Sequence, residues 1–274
     1  MRDVIDPPKF KEFEHAGWQS IPVSYHHAFS QLTAQAIEPL LDAVGATSGV
    51  NILDIASGPG YVAAAAQRRG AKVIGIDLSA AMVIEARQLH PGIEFREGDA
   101  EQLPLGNGLF HAAAMNFGIL HLASPEQALL EVHRVLRAGG RLGFTVWAKP
   151  EETIGFGIVL RAVEKYGELN VSLPSGPPFF RFSETSECVR ALQGAGFESP
   201  KVMKVPQVWR LPAGDGLFEA MRDSTVRTAG LLRIQKPAAL DKIREAIREE
   251  TERYRTGDII WLPMPAVLAS ATKA

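Results

Sequence analysis

The sequence predicts an α/β fold, a mostly parallel sheet with helices on both faces. Three observations predict it. Apolar strand-like runs alternate with helix-like stretches from about residue 51 to 147, which implies parallel strands joined by right-handed crossovers. The first run, residues 51–55, is apolar except for Asp54, as suits a strand covered on both faces. It leads directly into a glycine turn, Ser57-Gly58-Pro59-Gly60, and a helix opening near Tyr61. Glycines there permit positive φ and let a ligand approach bare backbone beside unsatisfied helix N–H groups.

In chain order, residues 1–20 are charged and proline-bearing and read as a loosely held arm. Residues 24–44 carry Phe29, Leu32, Ala36, Leu40 and Val44 at the spacing of one helical face, with a bend or split expected at Pro39. Strands are predicted at 51–55, 72–77, 93–97, 109–116 and 141–147, and helices at 61–69, 80–89 and 125–136. Gly70 ends the first of these helices, Ser79 caps the second, and Ser124-Pro125 opens the third. Gly139-Gly140 makes a tight return into the fifth strand. Beyond Trp147 come a helix at 154–166, a Pro/Gly loop at 172–182 and a helix at 184–192. A strand at 201–211 and helices at 215–235 and 237–255 follow, before an edge-type strand at 259–271 interrupted by Pro263 and Pro265.

Composition narrows the function classes. The 274 residues are 46% hydrophobic and 22% charged, as in an ordinary globular domain. A net charge of −2 argues against a nucleic-acid partner. The single cysteine, Cys188, leaves neither an internal disulfide nor a cysteine metal cluster, and zinc-type His spacings are absent, so no metal is expected. No apolar run reaches the length of a membrane span and the N-terminus lacks a signal-peptide core, so the expected setting is the cytoplasm. The expected oligomeric state is a monomer or homodimer.

The glycine turn also fits a dinucleotide fingerprint, Gly58-x-Gly60-x-x-Ala63, with an acid about 20 residues on. Two further acids point elsewhere. Asp54 precedes the first glycine by four residues, where a carboxylate repels a pyrophosphate but suits an ammonium group. Asp99 stands beyond the third strand. Three carboxylates at successive strand ends suit a cationic, phosphate-free nucleoside.

Taken together, Asp54-x-x-x-Gly58-x-Gly60, Gly75-Ile-Asp77-Leu-Ser79 and Gly98-Asp99-Ala100-Glu-Gln-Leu-Pro104 resemble class I S-adenosylmethionine-dependent methyltransferases. The subgroup resembled is the ubiquinone/menaquinone-biosynthesis-like, small-molecule branch, and the run from Glu131 to Leu142 adds to the likeness. The resemblance covers roughly residues 48–147. It implies a Rossmann-like seven-stranded sheet with an antiparallel last strand. It also divides the chain into an N-terminal arm and lid helices (1–45) and a methyltransferase domain (46–274), with substrate-pocket insertions at about 150–182 and 212–256.

The resemblance implies S-adenosylmethionine as cofactor. Asp54 would attract its ammonium end, with Ser57, Gly58 and Gly60 presenting backbone to the methionine part. Asp77 would accept the ribose hydroxyls, Leu78 and Met82 would sandwich the adenine, and Asp99 with the Ala100 amide would read its edge. Turn capping is the alternative role for Asp77 and Asp99. Asn116 and Phe117 would border the methyl group. His121, then His26 and His27, are the candidate bases or acceptor-orienting groups. Tyr25, Phe29, Trp147, Phe179 and Phe180, and more speculatively Phe182 and Trp209, are candidate pocket walls for a small, partly apolar acceptor. O-, N- and C-methylation all stay open. So do an NAD(P)-dependent oxidoreductase and a cofactor-binding protein that transfers nothing.

Overall fold

The computed structural model describes residues 6–274. Its main sheet has seven strands: β1 (Asn51–Ile55), β2 (Lys72–Asp77), β3 (Glu94–Glu97), β4 (Phe110–Asn116), β5 (Leu136–Trp147), β6 (Phe197–Val205) and β10 (Ala266–Lys273). They lie in the order β3-β2-β1-β4-β5-β10-β6. β3 through β5 pair in parallel, and β10 runs antiparallel to both neighbours. This is the expected seven-stranded, mostly parallel Rossmann-like sheet. Leu53, Asp54 and Ile55 of β1, and Ala112 to Met115 of β4, are buried in unbroken runs, because helices flank the sheet.

The helices are α1 (Pro7–Ser20), α2 (Pro22–Ala28), α3 (Ser30–Thr33), α4 (Ile37–Val44), α5 (Tyr61–Arg68) and α6 (Ala80–Leu89). Then come α7 (Pro125–Val135), α8 (Ile154–Tyr166), α9 (Thr185–Gly194), α10 (Gly216–Asp223), α11 (Arg227–Arg233) and α12 (Pro237–Thr251). Among the described residues none is long and apolar enough to cross a membrane.

Five expectations need correction. The described part of the N-terminal arm is the helix α1, with Phe10 and Glu14 buried. Asp6 caps it by accepting from the Lys9 amide at 3.3 Å, and Pro7 occupies the first turn, where a missing N–H costs nothing. The helical stretch at 24–44 breaks before Pro39, across a 3-10 turn at Ala34–Ala36. Pro39 itself sits in the first turn of α4, for the same reason that Pro7 is tolerated in α1. The helix expected at 215–235 divides into α10 and α11, where Ser224 and Thr225 bond back to main-chain carbonyls.

The strands expected at 201–211 and 259–271 each divide at proline. Pro206 separates β6 from β7 (Val208–Pro212), and Pro263 to Pro265 separate β9 (Ile259–Pro263) from β10. Together with β8 (Arg255–Thr256) these pieces build an unforeseen antiparallel sheet in the order β7-β9-β8. Proline cannot donate to a ladder, so a strand that meets one changes partners there.

Candidate active site

The carboxyl ends of β1, β2, β3 and β4 converge on one cavity, at the point where strand order reverses between β1 and β4. Open α/β sheets place ligands at this position. The expected cofactor residues Asp54, Ser57, Gly58, Asp77, Leu78, Met82, Asp99, Ala100, Asn116 and Phe117 all line it. So do Tyr25, Phe29, Trp147 and Phe179 from the expected pocket wall, and His121.

The glycine loop is shaped by two buried carboxylates. Asp54 is 1% exposed, and its Oδ2 accepts from the Ala63 amide of α5 at 2.9 Å. Burial pushes its carboxyl up to about 8, against the opposing effect of the Ala63 amide, with Asp77 adding to the rise. Asp77 accepts from the Gly58 amide at 2.7 Å through Oδ2 and from the Ser79 amide at 2.9 Å through Oδ1. Its capping role is therefore present alongside any ligand role, and burial again raises its carboxyl.

Gly58 has φ +50° and only open space in its Cβ direction. Gly60 does not line the cavity. Its φ is +84°, and a Cβ there would lie 2.5 Å from the Phe95 ring, so it serves the turn and the packing beneath it.

Backbone strain marks the same cleft. Ala56 and Phe117 are non-glycine residues with φ +52° and +55°. Phe117 is held there by Thr145, whose carbonyl and hydroxyl accept from its amide at 3.1 and 3.0 Å, and its ring stacks on Trp147 with centroids 4.1 Å apart. Asn116 accepts from the Thr145 hydroxyl at 2.6 Å and donates to the Thr33 carbonyl at 3.1 Å, tying β4 to the N-terminal helices.

Besides Gly60, three expected residues stand outside the cavity. His26 turns its Nδ1 to the Tyr61 hydroxyl, and His27 is exposed. Phe180 packs against Phe156 and Phe179 without lining the cavity. Of the more speculative walls, Phe182 is buried against Phe144, and Trp209 packs on Phe29 while donating to the Ala28 carbonyl at 3.0 Å.

Several lining residues were missed from sequence. Lys11, Glu14 and Trp18 come from α1, Glu101 from the loop after β3, Phe156 from α8 and Arg227 from α11. Phe10, Glu14 and Trp18 are spaced four apart, a helical face that the Asp6-Pro7 start could have flagged. Lys11 reaches Asp99 Oδ2 at 2.7 Å and Glu101 Oε2 at 2.6 Å. Glu101 Oε1 accepts from the Ala123 and Ser124 amides at 2.8 and 2.9 Å. His121 directs Nδ1 at Glu14 Oε2, 3.0 Å away. Among the described residues no cluster of His, Cys, Asp and Glu is arranged to hold a metal ion.

Residues 53–144, spanning the glycine loop through β5, match a family model described as a methyltransferase domain. Over that stretch the chain is similar to methyltransferase domains. A demethylmenaquinone methyltransferase of Beutenbergia cavernae is 37% identical over 121 residues, which are 42% of this chain and 50% of that protein. The enzyme of that name in Chlorobaculum parvum is 46% identical over 90 residues, 32% of this chain and 37% of its own length. The chain thus spans half or less of these two relatives. A solved Haemonchus contortus phosphoethanolamine N-methyltransferase 2, in complex with phosphomonomethylethanolamine and S-adenosylhomocysteine, shares the fold at TM-score 0.58 and 17% identity. That match covers 98% of this chain and 61% of the other.

The residues of this cleft fit S-adenosylmethionine, the cofactor that the sequence resemblance implies. Gly58 leaves an open cradle beside the loop, and Ser57 Oγ is buried without a partner among the described residues. Two buried carboxylates and a third, part-exposed one surround that space, complementary to an ammonium, a ribose diol and an exocyclic amine.

Proposed function

We propose that the chain is a methyltransferase that moves a methyl group from S-adenosylmethionine to an O, N or C atom of a small, partly apolar metabolite. One observation carries this reading. Asp54, Asp77 and Asp99, from the ends of three adjacent strands, share a single cavity with an aromatic wall of Trp18, Phe117, Trp147, Phe156 and Phe179. The polar half suits the cofactor and the aromatic half suits the acceptor.

When bound, S-adenosylmethionine supplies a methyl group activated by a positive sulfur. The chain supplies position. Asp54 offers carboxyl oxygens to the ammonium end and Asp77 to the ribose, while Asp99 and the Ala100 amide face the adenine edge. Leu78 and Met82 supply apolar contact to the ring. Asn116 and Phe117, fixed by Thr145, border the reacting carbon. In-line displacement gains most from such alignment, since effective molarities of oriented reactants are large. The two relatives, both demethylmenaquinone methyltransferases, support a small-molecule acceptor.

The test is calorimetric titration of the protein with S-adenosylhomocysteine beside NADH, repeated with Asp77→Asn. Micromolar binding of the former, weakened about tenfold or more by the substitution, is expected, in line with loss of charge-assisted hydrogen bonds. NADH binding without S-adenosylhomocysteine binding would overturn the reading. Unaltered affinity in Asp77→Asn would remove Asp77 from the ribose.

A further inference from the structure

Glu14 is a buried carboxylate that the strand-end site does not require. It stands on α1 at 2% exposure. Its Oε2 accepts from Trp18 Nε1 at 3.0 Å and lies 3.0 Å from His121 Nδ1. Its Oε1 has no hydrogen-bond partner among the described residues and faces Arg227 Nε at 4.0 Å. Arg227 is placed by its own contacts: the rings of Phe10 and Phe179 lie 5.1 and 5.3 Å from the guanidinium carbon, and the Pro177 carbonyl accepts from it at 3.1 Å. The guanidinium supplies a countercharge for Glu14 without closing on it.

An ionised carboxylate can only accept, so Nδ1 of His121 must be the donor. In the neutral imidazole Nε2 then carries the lone pair. Among the described residues Nε2 makes no hydrogen bond, while the ring lines the cavity with Phe117 and Phe179. Trp18 meets the imidazole edge-on at 4.8 Å and Phe179 at 6.0 Å, which fixes the ring plane.

We propose that Glu14 is a positioning residue that holds His121 as the Nδ1–H tautomer, making its Nε2 the base for a phenolic or enolic acceptor. The aromatic wall selects a planar, apolar body, and an imidazole works best against an acidic hydroxyl. The base comes from the loop after β4 and its orienting group from α1, so the dyad exists only while α1 is docked on the cleft. For the step itself the proposal rests on the methyl-transfer reading. The acceptor hydroxyl gives its proton to Nε2, and its oxygen lone pair forms the new O–CH3 bond. The S–CH3 bond breaks with its electrons returning to sulfur, and the imidazolium later gives the proton to solvent.

The test compares the parent, Glu14→Gln and Glu14→Ala, each labelled with 15N-histidine. His121 is assigned by the signal lost in His121→Gln. Long-range 1H–15N spectra of the neutral ring read the tautomer directly. In the parent, Nδ1 is expected to carry the proton. Both substitutions are expected to move the ratio toward Nε2–H by about tenfold or more, the scale of a hydrogen bond to a charged group. An Nε2–H ring in the parent, or an unchanged ratio in the variants, would overturn the proposal. S-adenosylhomocysteine titrations run alongside separate the two readings. If the parent fails to bind it, the methyl-transfer reading and the step both fall. If it binds equally well to parent and variants while the tautomer ratio stays fixed, only the role of Glu14 falls.

Discussion

Lys11 Nζ stands 2.7 Å from Asp99 Oδ2, joining α1 to the loop after β3 by an ion pair in the cavity wall. Glu101 takes the same ammonium at 2.6 Å. Burial opposes the charge on Lys11, but the two carboxylates outweigh it and raise the lysine above its ordinary value. The pair is partly exposed, at 33% and 28% for the two side chains, so its worth to stability is modest. Its position matters more. The carboxylate assigned to the adenine amino group already has a partner on the N-terminal helix.

Lys11→Met tests that competition. Removing the ammonium frees Asp99 and loosens α1. Faster amide exchange over residues 7–20 and a faster association rate for S-adenosylhomocysteine are expected, measured by hydrogen-exchange mass spectrometry and stopped flow. No change in either would mean that Lys11 neither fastens the helix nor contests Asp99.

The pH dependence of stability should report Asp54. Its folded carboxyl is raised to about 8 by burial, whereas an unfolded one titrates near 4. Between those values the folded protein holds a proton that the unfolded chain has released. The contribution is therefore fully present below about pH 4 and is lost as pH rises through about 8. Asp54→Asn removes this linkage. Urea midpoints of the variant and the parent should draw apart in the variant's favour from pH 5 to pH 9. A constant gap would show that Asp54 is ionised throughout.

Gly60→Ala should destabilise the fold. The φ of +84° is unfavourable for alanine, and the new Cβ would press on the Phe95 ring from 2.5 Å. A loss of about 1–3 kcal/mol is expected from overpacking and strain, read from chemical denaturation. Gly58→Ala offers the contrast, because its φ is also positive but its Cβ direction is open. A smaller stability loss is expected there, and equal losses would show that backbone strain alone decides both.

The strands and helices from β1 to β5 were legible because each signal is local. An apolar run, a glycine at positive φ, or a Ser-Pro helix start acts within a few residues of itself. The three acids were legible for the same reason, since each ends a strand or follows it closely. The second sheet was not legible, because Pro206, Pro263 and Pro265 declare where a strand must stop but not which strand the next piece will join. His26 and His121 were equal as residue types. One turns to Tyr61 and the other faces Glu14 across the chain.

The sequence by itself determined the Rossmann-like sheet, the glycine loop and the ring of carboxylates, because hydrophobic period and turn chemistry are written in neighbouring residues. Only the tertiary structure decided that α1 closes on the cleft. Lys11, Glu14 and Trp18 belong to the site through contacts with Asp99, Glu101, His121 and Arg227, the nearest of them 88 residues away in the chain. Such contacts depend on long-range packing, which local pattern does not encode.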